Sequence, residues 1–270
     1  MNAPKITVIM GIYNCAETLA ESLDSLLVQT YNDWNLVMCD DGSIDETYEV
    51  AEKYRSDYPD RIKLTKNERN MGLNHTLNRC LELADGEYIA RQDGDDISLP
   101  SRFEKEAAAL DAHPEIAVVS TAMSYFDENG TWGQNHPIEF PQNNDFIDGT
   151  PFCHAPAMVR REAYMKVGGY TVDKKLLRVE DYDLWVKMYA LGYRGMNLSE
   201  PLYAMRDDRN AYARRKFKYR INEFHVRIKA AKMLKLPLKA YICAFRPIIV
   251  GLLPTSAYNF LHKKRLEKNK

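Results

Sequence analysis

Short apolar segments alternate with amphipathic ones along the first 121 residues of the chain. Apolar runs predict five strands, at residues 6–10, 36–39, 62–65, 88–90 and 116–120. Between them, leucines recur at helical spacing and predict helices over 17–28 and 72–84. Strands that alternate with helices are typical of the α/β class, so we expect a mostly parallel central sheet flanked by helices.

The pattern after residue 121 is less regular. Residues 122–150 are rich in Asn, Asp, Gly, Pro and Gln, which predicts an irregular loop, long enough to be a lid or an acceptor-binding segment. We then predict an apolar segment at 152–159, a glycine break at 168–169 and a helix at 179–191. A short strand pair at 193–205, a basic helix at 210–235 and a proline-interrupted apolar stretch at 236–261 follow.

Composition indicates an ordinary globular chain of 270 residues, 45% hydrophobic, with a formal net charge of −1. This excludes disordered, collagen-like and coiled-coil proteins. The five cysteines form no CxxC pair, which argues against a disulfide framework or a zinc ribbon and favours a reducing compartment. The apolar run at 6–10 is too short for a signal peptide, so we expect a cytoplasmic protein.

The small net charge hides a strong asymmetry along the chain. Residues 1–204 contain 19 Lys and Arg against 34 Asp and Glu, whereas residues 205–270 contain 18 against 4. Such a division indicates two surfaces with different partners. No recognised nucleic-acid-binding module accompanies the basic part, so we predict an anionic membrane surface as its partner and no nucleic acid.

The C-terminal stretch is too interrupted to span a membrane, because a spanning helix needs about 20 mostly apolar residues and Arg246 and Pro247 lie inside this one. We therefore predict peripheral attachment through 207–270, at the inner face of the cell membrane. The cations that would contact lipid headgroups include Arg227, Lys229, Lys232, Lys235 and Lys239. The apolar side chains that would enter the membrane interface are Tyr241, Phe245, Ile248 and Leu252. A dimerisation or self-packing helix is the alternative, so an oligomer remains possible.

Acidic and aromatic residues follow three of the predicted strands: Tyr13 the first, Asp40-Asp41 the second, and Asp93-Gly94-Asp95-Asp96 the fourth. The carboxyl ends of parallel strands meet at one edge of a sheet, where ligands bind. Clustered carboxylates repel one another unless a cation attends them. Oxygen ligands without His or Cys suit Mg²⁺ or Mn²⁺ rather than zinc. Turn formation and helix capping are the alternative explanation for the Asp93–Asp96 string.

Several strings, in order and at ordinary spacing, closely resemble the inverting family 2 glycosyltransferases of the GT-A fold. They lie at 9–14, 39–47, 70–78, 86–96, 154, 160–161, 167–170 and 180–185, so the resemblance covers about residues 4–206. It implies a GT-A (nucleotide-diphospho-sugar transferase) catalytic domain over 1–206, with a nucleotide-binding half at about 1–121 and an acceptor half at 122–206. A C-terminal helical, basic and apolar extension would follow at 207–270. The family more often has Ala at the position of Gly94 and Pro at that of Gly11.

The resemblance also implies donor-binding residues. Tyr13 matches the position that packs on the nucleotide base, and Asp41 the carboxylate that contacts the uracil ring, which favours a UDP-sugar. Asp93 and Asp95 match the DXD pair, with Asp95 on the metal and the diphosphate. Arg206 lies where relatives place basic residues that meet the diphosphate. Each of these residues has an alternative structural role. Tyr13 could pack at the strand end, Asp41 could cap a turn, and Arg206 could be a solvated surface residue.

On the acceptor side, Asp181 matches the general base of the family, with Glu180 beside it. Both acids also suit the first turn of a helix, where the helix dipole favours negative charge. His154 resembles a family histidine close to the active site, although a structural histidine on an apolar strand is equally compatible with the pattern. Trp185 is expected to pack in the core.

These inferences predict a metal-dependent inverting glycosyltransferase, with Mn²⁺ or Mg²⁺ as cofactor. It would move a sugar from a UDP-sugar to a hydroxyl of a saccharide or lipid-linked oligosaccharide in capsule, O-antigen or exopolysaccharide biosynthesis. The alternative is a catalytically silent subunit of a synthesis complex that binds a nucleotide-sugar or polysaccharide.

Overall fold

A computed structural model of the chain describes residues 3–207 and 216–252. One sheet contains the nine strands found in these residues. They are β1 (Ile6–Ile12), β2 (Trp34–Asp40), β3 (Ile62–Lys66), β4 (Tyr88–Arg91), β5 (Ile97–Ser98), β6 (Val118–Asp127), β7 (Gly130–Gln134), β8 (Met158–Arg160) and β9 (Gly195–Arg206). Their order across the sheet is β3-β2-β1-β4-β8-β6-β9-β5, and β7 pairs with β6.

Helices cover both faces of this sheet. They are α1 (Ala16–Leu27), α2 (Thr47–Asp57), α3 (Leu73–Leu83), α4 (Arg102–Ala112), α5 (Arg161–Val167), α6 (Glu180–Ala190), α7 (Phe217–Met233), α8 (Leu238–Cys243) and α9 (Arg246–Gly251). The leucine spacing correctly predicted α1 and α3, and the predicted helices over 179–191 and 210–235 correspond to α6 and α7. Helix α4 gave no clear signal because its buried face includes the charged pair Arg102 and Glu106.

The first half of the sheet is parallel, as predicted. Strands β2 and β4 flank β1, with Met10 opposite Met38 and Val8 opposite Ala90, and β3 pairs with β2. Their carboxyl ends therefore meet at one edge. The second half is mixed, because β8 runs antiparallel to β4 and β6 whereas β9 runs parallel to β6.

The prediction of an irregular loop over 122–150 is wrong for much of that segment. Strand β6 continues to Asp127 and turns into β7 as an antiparallel hairpin, and Asn143–Ile147 forms a 3-10 helix that buries Phe146. The hairpin was missed because β7 is short, polar and largely exposed, with glycine at two of its five positions.

The predicted strand pair at 193–205 is a single bulged strand, β9. Its register against β6 jumps from Leu198 opposite Thr121 to Pro201 opposite Ala122. The residues skipped at this bulge, Ser199 and Glu200, interrupt the apolar alternation and suggested a turn between two strands.

Helix α7 packs on α6 and shares its core. Val226, Ala230 and Ala231 are buried in the same hydrophobic cluster as Trp185, so the expected core packing of Trp185 is confirmed. The predicted domain boundary after residue 206 stays a prediction.

Two of the cations predicted to meet lipid headgroups are engaged within the protein instead. Arg227 is buried and donates to the carbonyl oxygens of Ile147 at 2.8 Å and Asp148 at 3.1 Å. Lys229 pairs with the buried Asp183 of α6. Parts of the predicted extension, 208–215 and 253–270, lie outside the described residues. Within the described ranges, no helix combines the length and apolar character needed to cross a bilayer.

Candidate active site

A cleft of about 720 Å³ opens at the carboxyl ends of β1 and β4, facing the start of α6. Its walls are formed by Gly11, Tyr13, Asn14, Cys15, Ala16, Glu17, Thr18, Asp45, Leu73, Arg91, Asp93, Gly94, Asp95, Arg178, Glu180 and Arg206. Five predicted site residues are therefore brought together: Tyr13, Asp93, Asp95, Glu180 and Arg206. The other three, Asp41, His154 and Asp181, do not line the cleft.

Tyr13 lies at the rim, directly after β1, with 45% of its surface exposed. The next residue, Asn14, fixes this turn to the loop after β2. Its backbone N–H donates to Ser43 Oγ and its side-chain oxygen accepts from the N–H of Ile44, both at 3.0 Å. The turn is thus braced, while the ring of Tyr13 remains accessible to a ligand.

Asp41 is 4% exposed and lies behind the cleft wall. Its carboxylate accepts hydrogen bonds from the N–H groups of Met71 and Gly72 and from the side-chain amide of Asn67, each at 2.8 Å. Asp41 therefore fixes the 67–72 loop against the end of β2. Its carboxylate oxygens have further acceptor capacity, and the predicted contact with uracil stays a prediction.

The carboxylate of Asp93 is held in place by a buried cation. Arg91, 5% exposed, donates from Nε and Nη2 to the two carboxylate oxygens of Asp93, at 2.9 and 3.0 Å. Such a two-pronged pair fixes the orientation of the carboxylate. The following residue is glycine because a Cβ at Gly94 would lie 2.9 Å from Cys15 Sγ, which explains the departure from the Ala more common in the family.

Asp95 and Asp96 place two further carboxyl groups in the same turn. Asp95 is exposed, yet the enclosing cleft walls and then the charge of Asp93 raise its pKa. Burial, followed by the charges of Asp93 and Asp95, raises the pKa of Asp96 to about 8. A divalent cation beside Asp95 would offset this repulsion.

The donor set at this turn suits a metal held jointly with a ligand. Among the described residues, no group of three or more His, Cys, Asp or Glu side chains converges to form a complete metal site. Magnesium-type ions commonly take only one or two protein carboxylates and complete their shell with substrate phosphates and water. Asp95 fits that arrangement, with a bound diphosphate supplying the other oxygens.

Arg206, at the end of β9, braces the acidic turn. Its backbone N–H donates to Asp96 at 2.8 Å and its Nε to the carbonyl oxygen of Asp95 at 3.1 Å. The guanidinium also pairs with Glu21 and lies 4.5 Å above the Phe126 ring. Its predicted contact with a diphosphate stays a prediction.

The first turn of α6 presents Glu180 and Asp181 on different sides. Glu180 lines the cleft, and burial together with the charge of Asp181 raises its pKa. Asp181 is half-buried and lies on the side of Cys153. Burial raises the pKa of the Cys153 thiol to about 11, and the charge of Asp181 contributes to this rise. A thiol with that pKa is protonated at neutral pH and is a poor nucleophile.

His154 packs behind this turn. Its ring makes edge-to-face contacts with Tyr170 and Trp185, at centroid distances of 5.6 and 5.4 Å. It precedes β8 rather than lying on a strand. Both ring nitrogens are enclosed and have no hydrogen-bond partner among the described residues.

Two arginines of the cleft, Arg91 and Arg178, have no role predicted from the sequence. Arg91 belongs to a string that resembles the family, but its burial beneath Asp93 could not be inferred from the pattern. Arg178 lies two residues before Glu180 and has a left-handed backbone, with φ +68°. An arginine that closely precedes the acidic pair was the only available signal for it.

Comparison with known proteins assigns this architecture to a family. The chain matches the model described as "Glycosyl transferase family 2" over residues 7–168. The "Putative glycosyltransferase EpsE" of Bacillus subtilis (strain 168) is 45% identical over 269 residues, covering 100% of this chain and 97% of that protein. The "UDP-Gal:alpha-D-GlcNAc-diphosphoundecaprenol beta-1,3-galactosyltransferase" of Escherichia coli is 28% identical over 277 residues, covering 99% of this chain and 98% of that protein.

Solved structures share the fold at lower identity. S. aureus TarS 1-349 in complex with UDP-GlcNAc has a TM-score of 0.69 at 20% identity and covers 92% of this chain and 82% of its own. Mannosyltransferase PcManGT from Pyrobaculum calidifontis, in complex with GDP-Man and Mn2+, has a TM-score of 0.67 at 20% identity. The match covers 100% of this chain and 82% of that chain. The predicted GT-A fold is confirmed. Because the family model spans more than half of the chain and a full-length relative is 45% identical, this chain belongs to glycosyl transferase family 2 and is a glycosyltransferase.

Proposed function

We propose that the protein transfers a sugar, with inversion, from a UDP-sugar to an acceptor hydroxyl with the help of Mn²⁺ or Mg²⁺. The observation that carries this proposal is the cleft itself. An accessible tyrosine and a carboxylate turn line its donor side, and the acidic first turn of α6 lies opposite.

On the donor side, Tyr13 would stack on the base and Asp41 would support the uracil edge. Asp93, held by Arg91, would orient the ribose and sugar. Asp95 would hold the metal, which neutralises charge developing on the leaving diphosphate. UDP-sugars are favoured because UDP-Gal and UDP-GlcNAc appear in the names of a relative and a fold neighbour.

On the acceptor side, Asp181 would act as the general base. The acceptor hydroxyl gives its proton to the Asp181 carboxylate as its oxygen bonds to the anomeric carbon. The bond from that carbon to the diphosphate oxygen breaks, and UDP leaves from the opposite face. Asp181 lies away from the donor cleft and Glu180 toward it, which suits a base that must act opposite the leaving group. Glu180, which lines the cleft, and the enclosed His154 would lie on the acceptor or diphosphate side.

The acceptor would be a lipid-linked saccharide of bacterial surface-polysaccharide synthesis. This extends to the chain what the name of the E. coli relative says of its own acceptor, a diphosphoundecaprenol-linked sugar. The protein would therefore work at the cytoplasmic face of the membrane, attached peripherally.

A stripe of apolar side chains on α8 and α9 supports that attachment. Five of them, spaced four and three residues apart, are between 51% and 75% exposed: Leu238, Ile242, Phe245, Ile249 and Leu252. Lys235, Lys239 and Arg246 are exposed in the same region. Tyr241 and Ile248, also predicted for this role, are half-buried, and Tyr241 packs against the core.

A donor panel tests the proposal. The purified protein is titrated with UDP-, GDP- and TDP-sugars by calorimetry, with Mn²⁺ or with EDTA, and nucleotide release is recorded in parallel. We expect Mn²⁺-dependent binding and slow release of UDP from one UDP-sugar. Failure of every UDP-sugar to bind in the presence of Mn²⁺ would overturn the proposal, and binding with no release even when acceptor lipids are added would favour a silent subunit.

A further inference from the structure

Among the described residues that line the cleft, carboxylates outnumber cations, and one cation has no ion-pair partner. Five carboxylates and three guanidinium groups line it. Arg91 is paired with Asp93 and Arg206 with Glu21. The guanidinium of Arg178 makes no hydrogen bond or ion pair with any residue in 3–207 or 216–252.

The backbone at Arg178 holds a conformation that arginine rarely adopts. Its φ is +68°, a region that is strained for an L-residue with a Cβ and is usually filled by Gly or Asn. Strain of this kind persists where surrounding structure enforces it, and it is concentrated at functional sites.

The neighbouring contacts enforce this conformation. The N–H of Val179 donates to the carbonyl oxygen of buried Leu176 at 3.1 Å. The side-chain amide of Asn222 donates to the carbonyl oxygen of Leu177 at 3.1 Å. The chain is thus held next to Arg178, and this exposed residue lines the cleft.

We propose that Arg178 is a diphosphate-binding residue, which contacts the leaving diphosphate of the nucleotide-sugar from the α6 side. This inference rests on the proposed function and assigns to Arg178 the contact that sequence analysis gave to Arg206. A planar guanidinium can donate two parallel hydrogen bonds to phosphate oxygens. It would add a positive charge to a cleft in which carboxylates outnumber guanidinium groups.

The test compares UDP with uridine, which lacks phosphates, by calorimetry in the presence of Mn²⁺. Arg178→Asn removes the charge and tolerates the left-handed backbone, so folding should be preserved; its urea midpoint checks this. Arg178→Lys keeps the positive charge but loses the planar guanidinium that can donate two parallel hydrogen bonds. Lys175→Asn is the matched control, because it removes a nearby exposed cation that does not line the cleft.

We expect Arg178→Asn to weaken UDP binding about 10-fold or more, as for loss of a charge-assisted hydrogen bond, with uridine binding and the urea midpoint unchanged. Arg178→Lys should lie between, and Lys175→Asn should match the wild type. Wild-type affinity of Arg178→Asn for UDP, or an equal loss for uridine, would overturn the inference alone. Absence of UDP binding by the wild-type protein would overturn the proposed function, and this inference with it.

Discussion

Two carboxylates of one turn, Asp93 and Asp95, lie in opposite electrostatic surroundings. Asp93 is neutralised by the buried Arg91, whereas Asp95 is exposed and its pKa is raised by the enclosing walls and by Asp93. The same DXD string therefore contains one residue whose charge supports the fold and one whose charge is available to a ligand.

Replacing each by asparagine should separate these two contributions. Asp93→Asn leaves Arg91 buried without its partner and should lower the free energy of unfolding by about 1–3 kcal/mol, since part of Asp93 is exposed to water. Asp95→Asn should leave stability within about 0.5 kcal/mol of the wild type, as for most exposed substitutions, while Mn²⁺-dependent donor binding is lost.

Urea unfolding and calorimetry measure both effects. Glu17→Gln, an exposed carboxylate of the same cleft, is the control and should change neither quantity. Equal stability of the two asparagine variants would contradict the assignment of Arg91 as a structural cation.

At the scale of elements, α6 is the helix that carries the proposed base, and α7 holds it in place. Asp183 of α6 is fully buried and accepts from Thr171 Oγ1 at 2.7 Å and from Lys229 of α7. Lys187 lies further away, at 4.0 Å.

We predict that Lys229→Met destabilises the protein by about 1–3 kcal/mol, because a buried carboxylate loses its closest cation. Lys232→Met, on the same helix but exposed, should shift the free energy of unfolding by less than about 0.5 kcal/mol. Urea denaturation of the two variants checks the difference, and an equal effect would mean that the pair does not anchor α7.

The sequence predicted those elements that have a clear apolar pattern. Strands β1, β2 and β4 are apolar runs buried on both faces, and helices α1 and α3 repeat leucine along one buried face. The edge where the strand ends meet could be inferred from parallel topology alone. Helix α4 could not be predicted because its buried face contains an ion pair. Strand β9 was predicted as two strands because a bulge interrupts its apolar alternation.

Parallel topology located the site residues that follow a strand, whereas Glu180 and Arg206 were predicted from the resemblance to the family and also line the cleft. The residues that follow a strand and line the cleft are Tyr13, Asp93 and Asp95. The roles of Arg91 and Arg178 were not predicted, because they depend on burial beneath another residue and on an unusual backbone angle. Neither property is encoded in local spacing.

At the scale of the whole molecule, the acidic first part and the basic last part lie in one chain with nearly balanced charge. Helix α7 joins the core of the acidic part, while α8 and α9 expose an apolar stripe. This arrangement would hold the cleft close to a lipid-linked acceptor.

We expect the full-length protein to float with vesicles that contain phosphatidylglycerol. Ile242→Glu combined with Ile249→Glu should abolish flotation, because both exposed side chains would carry charge into the interface. Val28→Glu changes an equally exposed residue, at 61%, outside the stripe and should float normally. Undiminished flotation of the double variant would refute attachment through α8 and α9.

We propose that this fold transfers a sugar with Asp181 as the base. The most direct measurement is the rate of UDP formation by wild type, Asp181→Asn and Glu180→Gln, with the active UDP-sugar and a lipid extract as acceptor source. Asp181→Asn should be slower by about 100-fold or more with UDP affinity unchanged, and Glu180→Gln should keep much more of the activity. Turnover by Asp181→Asn at the wild-type rate would contradict the account.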